Sequence, residues 1–229
     1  MKDQPEGKTQ TERNLERIDG KYILRELTRV LNFDKGILYT IKELFLRPGN
    51  TVRIFLQHDR DRLVKPVIFV IFSSLVFVIA HQVLGFKTGT QTQDLGSPGI
   101  TKAFEWAGEH FGIVNILMGF FIGFWAKLFF RKSEFNIYEI FILMFFTIGM
   151  GNLIFTFSGI VESITGFESY GTTFLIVLLY STWAIGDFFN KRKVGSYLKS
   201  CFAYFFGTLT GSLVIVLVGV LLDVFGGKG

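Results

Sequence analysis

Among the polar and charged side chains that interrupt otherwise apolar stretches of this sequence, six are candidates for chemistry: Asn115, Lys127, Glu139, Thr147, Asn152 and Asp187. Ionisable groups inside lipid are expensive and mark functional sites by default. Lys127, Glu139 and Asp187 fall within about two turns of the ends of their stretches. There they either anchor a helix at the interface, with Lys127 snorkelling and pairing with an acid, or ring the mouth of a pore. Asn115, Thr147 and Asn152 lie deeper, where such groups hydrogen-bond between helices for about 1 kcal/mol each or line a water-filled path. No carboxylate stands at the middle of an apolar stretch, so the relay of a proton-coupled transporter is missing.

Enzyme chemistry is poorly served. His58, His81 and His110 stand far apart without metal-ligand spacing, and no nucleophile elbow, phosphate-binding loop or dinucleotide fingerprint occurs. Cys201, the single cysteine, falls in an apolar run and reads as a small hydrophobe, which excludes a disulfide scaffold. The expectation is a protein with no catalytic residues, no cofactor and no metal.

The elements that must position these residues follow from composition. Of 229 residues 49% are hydrophobic and only 19% charged, with 28 Phe. A soluble domain is about a quarter charged. Residues 1–65 hold 14 of the 24 Lys and Arg, so the rest of the chain has too little charge to wet a globular surface. Five runs reach the roughly 20 apolar residues that a bilayer demands: about 66–86, 112–130, 137–157, 172–189 and 201–222. Basic residues flank alternate ends. Arg53, Arg60, Arg62 and Lys65 precede the first run, Arg131 and Lys132 follow the second, and Lys191, Arg192, Lys193 and Lys199 follow the fourth. Lys and Arg remain on the cytoplasmic side, which predicts the bacterial inner membrane with the N-terminus inside and the C-terminus outside.

Residues 1–20 are polar and read as a disordered lead-in. Over 21–65 the pattern changes to amphipathic helices, cytoplasmic or interfacial. Ile23, Leu24, Leu27, Val30 and Leu31 share one face. Asp34 suits an N-cap, and Ile37, Leu38, Ile41, Leu44 and Phe45 repeat the spacing. Arg47-Pro48-Gly49 ends that helix and begins another, with Val52, Phe55 and Leu56 on one side. The region between the first two spans is Gly-, Thr- and Gln-rich and predicts a flexible loop, followed by an interfacial turn at Trp106.

Residues 41–77, IKELFLRPGNTVRIFLQHDRDRLVKPVIFVIFSSLVF, resemble the signature of a bacterial multi-span membrane-protein family of unknown function. The matching positions are Leu46, Arg47, Pro48 and Gly49, then Arg60 or Arg62, then Lys65 and Pro66. The resemblance implies membrane class and topology and names no reaction. Many members begin with a cysteine-rich zinc ribbon, whereas nothing before Cys201 here is cysteine, so no ribbon function carries over.

Glycines recur at packing distance twice, Gly119 with Gly123 and Gly207 with Gly211, a spacing that brings helices close within a chain or between copies. Gly149 and Gly151 are candidates for a bend. The fold expected is an all-α polytopic membrane bundle, with spans over 66–229 behind two or three amphipathic helices. The function expected is non-enzymatic, through self-association or a cytoplasmic protein partner, with Arg47, Arg53, Arg60, Arg62 and Lys65 as partner or lipid contacts. Its most specific form is a pore or permeability effector, for example an accessory protein of phage defence. The alternative is a small transporter or lipid-handling permease. The lipid bilayer is a further expected partner, and no direct nucleic-acid contact is expected, because the basic excess beside the first span follows from topology.

Overall fold

The computed structural model describes residues 36–86, 97–166, 170–190 and 192–226. The expected disordered lead-in, the amphipathic helix over 21–31 and the Asp34 cap lie outside these residues. Among the described residues the chain is all-helical, with eight helices and no strand. They are α1 (Ile37–Leu46), α2 (Pro48–Gln57), α3 (Pro66–Leu84), α4 (Pro98–Glu109), α5 (Phe111–Phe129), α6 (Ile137–Thr165), α7 (Tyr170–Asn190) and α8 (Val194–Gly226). Helices α3, α5, α6, α7 and α8 are each long and apolar enough to cross a membrane.

Two expected spans are longer than hydropathy alone outlines. Helix α6 continues past Phe157 to Thr165, where Gly166 at φ +70° supplies the left-handed C-cap. Helix α8 runs for 33 residues, close to 50 Å at 1.5 Å per residue, so both its ends outreach a hydrocarbon layer of about 30 Å. Its first turns carry Lys199 and buried Ser196 and Ser200. Apolar windows report the lipid-matched part of a helix and miss polar turns that continue it.

The order of packing follows from which faces are buried. In the most apolar stretch of α6, 61% of residues are buried, against 17% in α8. Helix α6 is therefore the axis, in contact with α3, α5 and α7, while α8 lies against α5 and α7. Phe69, Phe146, Ile140, Leu143 and Met144 form the centre, with Phe55 edge-on to Phe146 at 5.4 Å between ring centroids. The helix pair α1–α2 closes one end of the bundle, packing on α6 and α7. We call this the capped end. It holds the N-termini of α3, α6 and α8 and the C-termini of α5 and α7.

The paired glycines on the transmembrane helices are used inside the chain. A Cβ on Gly119 would press on Phe145, and one on Gly123 on Phe141, both on α6. Gly207 sits against Ile122 and Gly211 against Met118, which sets the α5–α8 approach. Gly149 and Gly151 belong to one continuous helix, where they make room for Phe69 and Val177. The GFFIG and GTLTG spacings are thus intrachain packing seams. Trp125 Nε1 adds a 2.9 Å bond to Thr210 Oγ1 across the second.

The segment expected to be a flexible loop contains an ordered helix. Residues 87–96 lie outside the described part, but α4 begins at Pro98, with the Ser97 hydroxyl accepting from Ile100 N at 3.3 Å. It ends at His110, whose ring stacks on Trp106 at 4.5 Å. Ser97-Pro98, an N-cap residue followed by proline at N1, is the helix-start signal that the loop-like composition obscured.

Candidate functional site

At the capped end, the turn at Leu46, Arg47, Pro48 and Gly49 is fitted to the end of α7. Proline opens α2 because the first helical N–H has no intrahelical partner to lose. Arg47, at the N-cap position, gives no side-chain cap. The carboxylate of Asp187 supplies one from another helix, accepting from Asn50 N at 3.0 Å, where the helix dipole favours a negative charge. Gly49 is buried directly beneath: a Cβ there would lie 2.6 Å from the Asp187 carbonyl carbon and closer still to Phe188 N.

Arg53, one turn further along α2, returns the favour. Its guanidinium donates to the Phe188 carbonyl, one of the orphan carbonyls at the C-terminus of α7, and lies over the Phe135 and Phe188 rings at 5.7 and 5.9 Å. Two helix ends are thereby capped reciprocally. Tyr180 on α7 also donates to the Leu44 carbonyl of α1 at 3.0 Å.

The link from α2 to α3 is tied down in turn. Arg62 pairs with Glu43 at 2.9 Å and donates to the Tyr39 hydroxyl at 2.8 Å. Val64 N donates to Thr40 Oγ1 at 3.1 Å, and Thr51 Oγ1 to the Glu43 carbonyl at 3.2 Å. Of the five basic residues expected to meet a partner or lipid, Arg53 and Arg62 are half-buried and engaged within the chain, while Arg47, Arg60 and Lys65 are exposed. Leu38, Phe45 and Leu46 point outward beside Lys42 and Arg47, with Phe45 62% exposed.

The same device recurs at the opposite end. Helix α4 also begins Pro-Gly, and Asp223 near the end of α8 accepts from Gly99 N at 2.6 Å and from the Ser97 hydroxyl. Asp223 was missed in the sequence because a lone acid in an apolar tail carries no motif. The signal that could have found both caps is the pairing of two Pro-Gly helix starts with two isolated aspartates.

The remaining candidates divide between two places. Lys127 Nζ donates to the Phe135 carbonyl at 2.7 Å and holds the α5–α6 turn. Glu139 closes a capping box with Asn136, with bonds of 2.8 and 3.0 Å. Neither joins Asp187 in one cluster. Deep in the bundle, Asn152 Nδ2 donates to Ser73 and Ser74 at 3.3 and 3.1 Å, and Asn115 Nδ2 donates to Ser74 at 3.2 Å. This knot joins α3, α5 and α6, and Asn152, Ser73 and Ser74 are all buried. Ser73 and Ser74 went unnoticed because hydroxyls in an apolar run usually satisfy their own helix, as Thr147 does by donating to Leu143 O at 2.8 Å. Among the described residues no three His, Cys, Asp or Glu side chains gather as a metal site. Cys201 is half-buried and free.

Three cavities accompany these features. An apolar groove of about 590 Å³ runs between α4, α5 and α8, with Lys102 and Trp106 among its lining. One of about 620 Å³ adjoins Arg47, Asn50, Trp183 and Asp187. A third, of about 710 Å³, opens between the α5–α6 and α7–α8 turns.

No curated protein and no solved structure matches the chain. A family model described as "Protein of unknown function (DUF3667)" matches residues 34–78, the stretch that encloses α1, α2 and α3 as far as Val78, and with them most of the residues that tie α1 and α2 to the bundle.

Proposed function

We propose that this chain is a non-catalytic protein of the bacterial inner membrane, its capped end in the cytoplasm, that acts through protein contacts made at that end. The observation that carries the reading is the reciprocal capping between α2 and α7. It spends Asp187 and Arg53 on structure and holds Leu38, Lys42, Phe45, Leu46 and Arg47 as one fixed outward surface. Fixed apolar residues with adjacent cations suit a protein interface better than a reactive site. The family-model match over the same stretch supports reading the Leu-Arg-Pro-Gly turn as the feature shared with those proteins.

Self-association is the specific form of this proposal, with a permeability effector, in phage defence or a comparable response, as its sharpest version. Asn115, Thr147 and Asn152 are satisfied within one chain, so a conducting path would run between copies rather than through a single bundle. The test pairs the mass of the detergent-solubilised protein with ion flux through liposomes containing it. A defined assembly of two or more chains, reduced to single chains by Phe45→Asp, is the expected result. Single chains at every concentration, without flux, would overturn self-association.

One observation favours a second reading, a lipid-handling permease. The apolar groove of about 590 Å³ lies in the range of about 300–1,000 Å³ typical of small-molecule sites, and Lys102 stands where a headgroup would meet it.

A further inference from the structure

The third cavity is built differently from the other two. Its lining includes Arg131, Lys132, Lys193 and Lys199 and no acidic side chain. Two turns and the start of a helix bring these four cations together: Arg131 and Lys132 follow α5, Lys193 precedes α8, and Lys199 lies within the first turns of α8. Its floor is the Phe130–Phe189 pair, stacked at 3.9 Å and 5° between ring planes, with Lys199 Nζ 5.9 Å from the Phe130 centroid. Ser133 also lines the cavity, and its buried hydroxyl has no hydrogen-bond partner among the described residues. Four cations and the first turn of α8, whose N–H groups favour an anion, border one space, with the unpartnered Ser133 hydroxyl beside it.

A basic end facing the cytoplasm accounts for the number of cations but not for their gathering around a cavity with an unsatisfied donor. We propose that this cavity binds a phosphate group, carried on an anionic phospholipid of the surrounding leaflet. The lipid is favoured over a soluble phosphate compound because Leu128, 49% exposed, and Phe129 form one wall and lead from the cations onto the lipid-facing side of α5. Basic pockets between transmembrane helices are suited to anionic headgroups. The site is separate from the α1–α2 surface and stands whether or not that surface assembles copies.

The test measures lipid retained by the full-length protein in native mass spectrometry, after solubilisation with phosphatidylglycerol or phosphatidylcholine. The wild type is expected to keep phosphatidylglycerol selectively. Lys193→Gln combined with Lys199→Gln should lower that retention about thirtyfold, while the equal charge change Lys2→Gln with Lys8→Gln, near the start of the sequence, should alter it less than about threefold. Restoration by Lys193→Arg with Lys199→Arg would add support. Equal losses in both double variants would overturn the site in favour of general surface charge. Displacement of the lipid by inorganic phosphate at equal concentration, or protection of the lysines from acetylation by phosphate but not by lipid, would overturn the lipid assignment.

Discussion

Gly49→Ala will destabilise the solubilised protein by about 3 kcal/mol, the upper part of the range for overpacking a filled site. The sign is informative, because alanine within a helix normally stabilises by about 0.5–1 kcal/mol relative to glycine. Here the added Cβ meets the Asp187 carbonyl carbon at 2.6 Å, Asp187 Oδ2 at 2.7 Å and, nearer still, Phe188 N. Two of these are backbone atoms of α7, which cannot rotate aside. Helix α2 must lift away, and the Asn50–Asp187 and Arg53–Phe188 bonds go with it. Thermal unfolding in detergent, followed by loss of the monodisperse species, measures the effect. An unchanged or raised midpoint would mean that α2 does not sit on α7 this closely.

The second large effect is expected at Gly207, where α5 and α8 approach. A Cβ there would lie 2.7 Å from Ile122 Cγ1 and 2.9 Å from Ile122 N, and closer to Ile122 Cα. Gly207→Ala should cost about 2–3 kcal/mol in the same assay. Gly195→Ala, near the start of the same helix with nothing within 4 Å of the added methyl, should instead be neutral or raise the midpoint slightly. The contrast distinguishes packing within the chain from packing between copies. If the glycines served only an oligomer, Gly207→Ala would change the mass of the assembly and leave the folded chain intact.

Much of the architecture was legible because membrane physics leaves few choices. An apolar run of about 20 residues has one way to satisfy its backbone in lipid, so five runs gave five helices. Arg47-Pro48-Gly49 likewise marked the corner between α1 and α2, since proline at N1 is a local signal. The helix ends were less readable. The polar turns of α6 after Phe157 and of α8 before Cys201 are held by helix continuity rather than hydropathy. Helix α4 was hidden by its small polar lead-in, and its stability draws on Asp223, more than a hundred residues away.

The site was legible by residue type but not by partner. Asp187 stood out as an acid near the end of an apolar run, a position that fits an interfacial anchor, a pore mouth or a cap equally well. Only the fold brings Asn50 N within 3.0 Å of it. Asn115 and Asn152 were recognised singly, yet what joins them is Ser74, a residue with no distinguishing pattern of its own. Arg53 and Arg62 looked like free cations because sequence cannot show that Phe188 O and Glu43 await them.

The helix pair α1–α2 is clamped to the bundle by charge at helix ends, and amide hydrogen exchange on Asp187→Ala reads that clamp residue by residue. Losing a cap worth about 1–2 kcal/mol should speed exchange in the first turns of α2 by roughly tenfold. The amides of Leu143 to Asn152 in buried α6 should keep their wild-type protection. Unchanged protection in α2 would contradict the clamp, and so would an equal loss throughout the bundle.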